Sequence, residues 1–108
     1  MRGWPLTDIL KRIKRAILTG NYAFSEKARI EMEADQITEL DVAESILNAV
    51  AIYKSVRSAR PQRSHRREML HIIQSTNLNG LAIYSKGRLV SEAGQDTYYF
   101  LISSKKAL

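Results

Sequence analysis

The chain reads as an α+β fold, with two to three N-terminal helices packed on one face of a small antiparallel β-sheet. Three observations predict it. From Thr7 to Asn48 apolar residues recur at helical spacing. From Ala51 to Ser103 they roughly alternate, in segments rich in β-branched and aromatic residues. Turn-forming residues fall between these segments, and no helical period returns after the first strand. At 108 residues the chain is one domain, spanning 1–108. A chain of this size buries roughly two thirds of the surface its unfolded form exposes.

Each element has a local cause. Thr7 is a candidate cap for a first helix from Asp8, with Ile9, Leu10, Ile13 and Ile17 inward and Lys11, Arg12, Lys14 and Arg15 outward. Gly20-Asn21 ends it, since glycine tolerates a left-handed C-cap. Trp4 reads as a cap over the helical layer. Ser25 caps a short second helix through about Ala34, with Ala28 and Met32 on its inner face. Thr38-Glu-Leu-Asp41 is a capping-box-like start for a third helix to about Asn48. The first strand is read over Ala51–Val56, and Arg57–His65, with Pro61, is a long connection. A second strand covers Glu68–Gln74, and Asn77-Leu-Asn-Gly80 is a turn. A third covers Leu81–Tyr84 with an extension toward Val90, Gly87 marking a turn or bulge. After a loop at Ala93–Asp96, Thr97–Ser103 is the clearest strand.

Charge is segregated along this order. Residues 1–49 carry seven Lys/Arg against eight Asp/Glu, whereas residues 50–108 carry ten against three. The strand half therefore carries a net +7 and the helical half −1, which sum to the chain's +6. Seven basic side chains lie between Lys54 and Arg67 with no acidic one: Lys54, Arg57, Arg60, Arg63, His65, Arg66 and Arg67. One-sided cationic surface favours a polyanion, most often nucleic acid; a solvated basic loop without a partner is the plainer alternative. The chain has no cysteine, which excludes disulfides, zinc–thiolate sites and a cysteine nucleophile. No apolar run reaches the length of a membrane span and no signal-peptide core is present. The expectation is a soluble cytoplasmic protein that does not engage membranes.

The chemistry is narrowed by what is missing. Only Glu68, Glu92 and Asp96 carry carboxylates in the strand half, and His65 and His71 lack helical metal-ligand spacing. No metal site and no cofactor is expected; there is no glycine-rich phosphate loop and no nucleophile elbow. What remains is a set of cations, imidazoles and tyrosine hydroxyls, which suffices for metal-free RNA cleavage. There the 2′-OH of the substrate is the nucleophile. The protein supplies proton transfers, from Lys, His or Tyr, and cations to stabilise the phosphorane. DNA lacks the 2′-OH. Each candidate also has a structural reading: Lys54 as protection of an edge strand, His71 as a half-buried histidine, Tyr84 as packing, and Lys105 and Lys106 as a strand terminus.

Several short motifs carry a resemblance. Ile52-Tyr53-Lys54-Ser55 resembles the Phe-Tyr-Lys-Ser step of the MqsR-like toxins, in the RelE/MqsR superfamily of bacterial mRNA interferases. Tyr84-Ser-Lys86 is similar to their Tyr-Leu-Lys step on a middle strand. Phe100-Leu-Ile-Ser-Ser-Lys105 is similar to their closing strand, which ends in Ser-Phe-Lys. Gly20 to Ile46 resembles small uncharacterised domains encoded beside zinc-finger antitoxins. The resemblance covers about residues 8 to 106. It implies a RelE/MqsR-like fold, an endoribonuclease acting on mRNA, with or without the ribosome, and a cognate antitoxin of zinc-finger or helix-turn-helix type. The family's catalytic positions fall on Lys54, Tyr84 and Lys105. Arg67 stands where the family has glutamine; an arginine holds a phosphate but accepts no hydrogen bond, so its role there differs. His65 and His71 are alternative acid–base groups. Arg57, Arg60, Arg63, Arg66, Lys86, Arg88 and Lys106 complete an expected RNA-binding surface. The rival readings are a non-catalytic RNA- or DNA-binding module of the same fold, and a basic subunit that binds an acidic protein partner.

Overall fold

A computed structural model describes residues 6–58, 68–93 and 95–108. Trp4, Arg60, Arg63, His65, Arg66 and Arg67 lie outside these described residues. The fold is α+β. Its order is α1 (Leu6–Leu18), β1 (Tyr22–Phe24), α2 (Glu26–Asp35), α3 (Glu39–Asn48), β2 (Lys54–Arg57), β3 (Met69–Thr76), β4 (Ala82–Glu92) and β5 (Gln95–Lys106).

The helix ends follow from local chemistry. α1 already includes Leu6, so Thr7 lies within the helix and does not cap it. At its far end Gly20 has φ +76°, its amide donates to the Ile17 carbonyl, and the Asn21 amide donates to Ala16. That paired pattern satisfies two otherwise orphaned carbonyls. The Ser25 hydroxyl accepts from the Ala28 amide at the start of α2. α2 closes through Gln36 in the left-handed region, φ 59°, an unusual seat for a residue with a Cβ. The capping box at α3 is complete: Thr38 Oγ1 accepts from the Asp41 amide and Asp41 Oδ2 accepts from the Thr38 amide.

The strands form one sheet in the order β1-β5-β4-β3-β2. β2 through β5 are an antiparallel meander, as expected. The expectation of a purely antiparallel sheet is corrected by β1, which pairs in parallel with β5, Tyr22 opposite Tyr99. The three residues of β1 are too few to show a period, so they read as a connector between two helix signals. β2 is also shorter and later than the Ala51–Val56 reading, running Lys54–Arg57, and β5 begins at Gln95, inside the loop expected over Ala93–Asp96.

Residues opposite one another on neighbouring strands project to the same side, and successive residues alternate. Ile73, Ser85 and Ser104 form one such row, and Ile73 and Ile83 enter a core with Leu10, Ile13 and Ile17 of α1, Ala28 and Met32 of α2, and Val42 and Ile46 of α3. The helices thus cover one face of the sheet. Leu70 and Ile72 project to the opposite face, and although only 9% and 6% exposed they stand outside that core cluster.

Candidate functional site

The face turned away from the core carries Lys54, Gln74, Tyr84, Lys86 and Lys105. Lys54 of β2, Ile72 of β3, Lys86 of β4 and Ser103 of β5 form one row across the sheet. Gln74, Tyr84 and Lys105 form the next. Two strand spacings put the Lys54 and Lys86 backbones about 10 Å apart, and the two rows lie about 7 Å apart. The Lys105 ammonium stands over the Tyr84 ring, 5.3 Å from its centroid. Lys54, Gln74 and Lys105 are exposed; Tyr84 and Lys86 are half-buried.

α2 reaches this face at its edge. Glu31 Oε1 accepts from the Ser103 hydroxyl at 2.7 Å and from the Ser104 amide at 3.1 Å, while Oε2 lies 3.4 Å from the Lys27 ammonium. Burial pushes the Glu31 carboxyl up, but those hydrogen bonds and the Lys27 charge outweigh it and hold it below its ordinary range. Burial, with the nearby Glu31 charge, raises the Tyr84 phenol above its usual value. The Tyr84 hydroxyl therefore keeps its proton at neutral pH.

His71 is not part of this arrangement, which corrects the expectation that it belongs with the lysines. It lies opposite Gly87 and Ser55, one residue out of step with the Lys54 row, and so points to the helix side. It is 5% exposed, its Nδ1 is 2.7 Å from the Ser55 hydroxyl, and burial and then the Arg12 charge hold its pKa below the ordinary value. Arg57 shares that side, opposite Met69, and Lys106 does so opposite Ile83, so neither belongs to the open face. Arg88 does lie on the open face but is committed to an ion pair with Glu68 and a contact over the Phe100 ring. The helix-side placements of His71, Arg57 and Lys106 share a cause. Composition marks a strand as basic, but only the register says which face a side chain takes.

Gln74 and Glu31 were missed at the sequence level. Gln74 carried a readable signal, as the polar residue after Leu70-His-Ile-Ile73 on a strand. Glu31 carried none, because its partners are 72 and 73 residues away. Among the described residues no group of three or more His, Asp or Glu side chains is placed to hold a metal ion. None of their helices is long and apolar enough to cross a membrane. Comparison with known protein families, curated proteins and solved structures returns no match to this chain.

Proposed function

We propose that this protein is a RelE/MqsR-like type II toxin, an endoribonuclease that cleaves mRNA without a metal ion. The observation that carries the reading is the shared face of Lys54, Tyr84, Lys86 and Lys105, opposite the helices, with Lys54 and Lys105 exposed and Tyr84 and Lys86 half-buried between them. In the proposed reaction the substrate 2′-OH attacks the adjacent phosphorus, the 2′-O–P bond forms, and the P–O5′ bond breaks. The 2′-OH proton leaves to a base, and a proton reaches the 5′ oxygen. Lys54 and Lys105 hold the negative charge on the phosphorane or assist removal of the 2′-OH proton. Tyr84, held protonated, donates to the leaving oxygen. Gln74 offers an amide beside Tyr84, and Arg67 a guanidinium for phosphate. A cognate antitoxin would cover this face with acidic or apolar segments.

The test is induced expression in a bacterium, scored for growth arrest and transcript cleavage, with purified protein on single-stranded RNA alongside. Cleavage should leave 2′,3′-cyclic phosphate ends and should fail on 2′-O-methyl RNA. Lys54→Ala should lower the rate about a hundredfold while leaving the fold intact. If Lys54→Ala and Lys105→Ala cleave as well as the wild type, the catalytic assignment is wrong.

A second reading has one observation in its favour. With His71 on the helix side, the open face has no histidine among the described residues. A non-catalytic RNA-binding module of the same fold fits that arrangement, and it predicts salt-sensitive binding with no cleavage products.

A further inference from the structure

Among the described residues, β5 has no strand partner beyond β1 on its outer edge. β1 ends opposite Leu101, yet β5 continues to Lys106. An unpaired edge is ordinarily loose and prone to pair with other chains. Here side chains of α2 and its cap take the place of a strand. The Ser25 hydroxyl donates to the Ile102 carbonyl at 2.9 Å, Glu31 Oε1 accepts from the Ser103 hydroxyl and Ser104 amide, and Asp35 Oδ2 accepts from the Lys106 amide at 2.8 Å. The stretch they hold is the one that carries Lys105 over Tyr84. It also follows a register shift, where residue 102 is an extra residue between the Leu101–Gly87 and Ser103–Lys86 pairs. Such a bulge bends the strand and leaves its direction to be set by other contacts.

We infer that Glu31 is a positioning residue for the open face: its carboxylate, fastened to Ser103 and Ser104, sets the path of β5 so that the Lys105 ammonium lies against the Tyr84 ring. Glu31 touches no substrate in this role. It acts through β5, as a carboxylate that holds a strand in place of a neighbouring backbone. The role of Lys105 and Tyr84 in cleavage rests on the function proposed above; the geometry of their contact does not.

The experiment therefore reads both. In the intact protein, the Lys105 side-chain protons over the Tyr84 ring are shifted upfield by the ring current, and loss of the shift in Tyr84→Leu assigns it. Glu31→Ala should lose at least half of that shift and lower the cleavage kcat about tenfold to a hundredfold, with KM little changed, because a misplaced group is costly in the transition state. Glu31→Gln keeps an oxygen acceptor for Ser103 and Ser104, so it should restore most of the shift and of the rate. Ser103→Ala removes one donor and leaves Glu31 in place; it should lose part of the shift, and it decides the matter if Glu31→Ala does not fold. A folded Glu31→Ala or Ser103→Ala with the full wild-type shift overturns the inference, as does Glu31→Gln behaving like Glu31→Ala. If the wild type cleaves no RNA, the proposed function fails and the ring-current shift alone judges Glu31.

Discussion

At the scale of single residues, side-chain chemistry is decided by which face of the sheet receives it. Lys54 and Ser55 are neighbours in sequence, yet Lys54 is exposed on the open face while Ser55 meets buried His71 on the other. Lys54 is thus open to an anion, whereas burial disfavours the protonated form of His71. The consequence of the second can be measured. In the unfolded chain His71 takes up a proton near its ordinary pKa of about 6.5. In the folded protein burial and the Arg12 charge delay that uptake to lower pH. Between those two values the unfolded state binds more protons, so acid favours unfolding. Stability should be full above about pH 6.5 and fall as pH drops below it, with a slope of at most about 1.4 kcal/mol per pH unit from this group. Denaturant midpoints measured from pH 8 to pH 5 check this, and His71→Gln should flatten the profile in that window. A wild-type midpoint that is level from pH 7 to pH 5 contradicts it.

At the scale of elements, most of the architecture was legible because its signals are local. The capping box at Thr38, the glycine at the end of α1 and the serine at the start of α2 each act within four or five residues, and each occurs as read. What could not be read depends on partners distant in sequence. β1 exists because β5 offers it a parallel neighbour, and Glu31 matters because α2 lies along the edge of β5. Gly87 stands between these cases. It reads as a turn or bulge and does sit at the register shift, but the reason for glycine there is tertiary. A Cβ on Gly87 would stand 2.7 Å from the fully buried Tyr99 ring and 2.8 Å from the Phe100 carbonyl oxygen. Neither can give way: the ring is enclosed, with its hydroxyl at 3.4 Å from the His71 carbonyl, and the oxygen is backbone. Gly87→Ala should therefore destabilise the protein by about 1–3 kcal/mol, the range for overpacking a filled core, rather than gain the usual advantage of replacing a glycine in a strand. Urea unfolding of this variant gives the sign directly; an unchanged or higher midpoint would show that the ring has room to move.

At the scale of the whole molecule, the segregation of charge along the sequence becomes a segregation in space only in part. The helical half is nearly neutral and the strand half carries the excess. The fold then divides the described strand cations, with Lys54, Lys86, Lys105 and the Glu68-paired Arg88 on the open face and Arg57 and Lys106 on the helix side. If the open face is where RNA lies, these two sets must behave differently although every member carries the same charge. Neutralising a phosphate releases counterions, so log affinity falls linearly with log salt, by about 0.7 for each contact to a single strand. Lys54→Ala, Lys86→Ala and Lys105→Ala should each weaken binding to single-stranded RNA and reduce that slope by about 0.7. Lys106→Ala and Lys11→Ala, the latter on the exposed side of α1, should leave the slope unchanged within error. Long-range attraction between the net charge and a polyanion is shared by all five variants, because each loses one unit. A uniform small decrease across the five would thus mean that RNA responds to the total charge alone and that the open face has no privileged part in binding. Only a difference between the two sets ties binding to the sheet register, which is the feature that gathers Lys54, Tyr84, Lys86 and Lys105 from three strands.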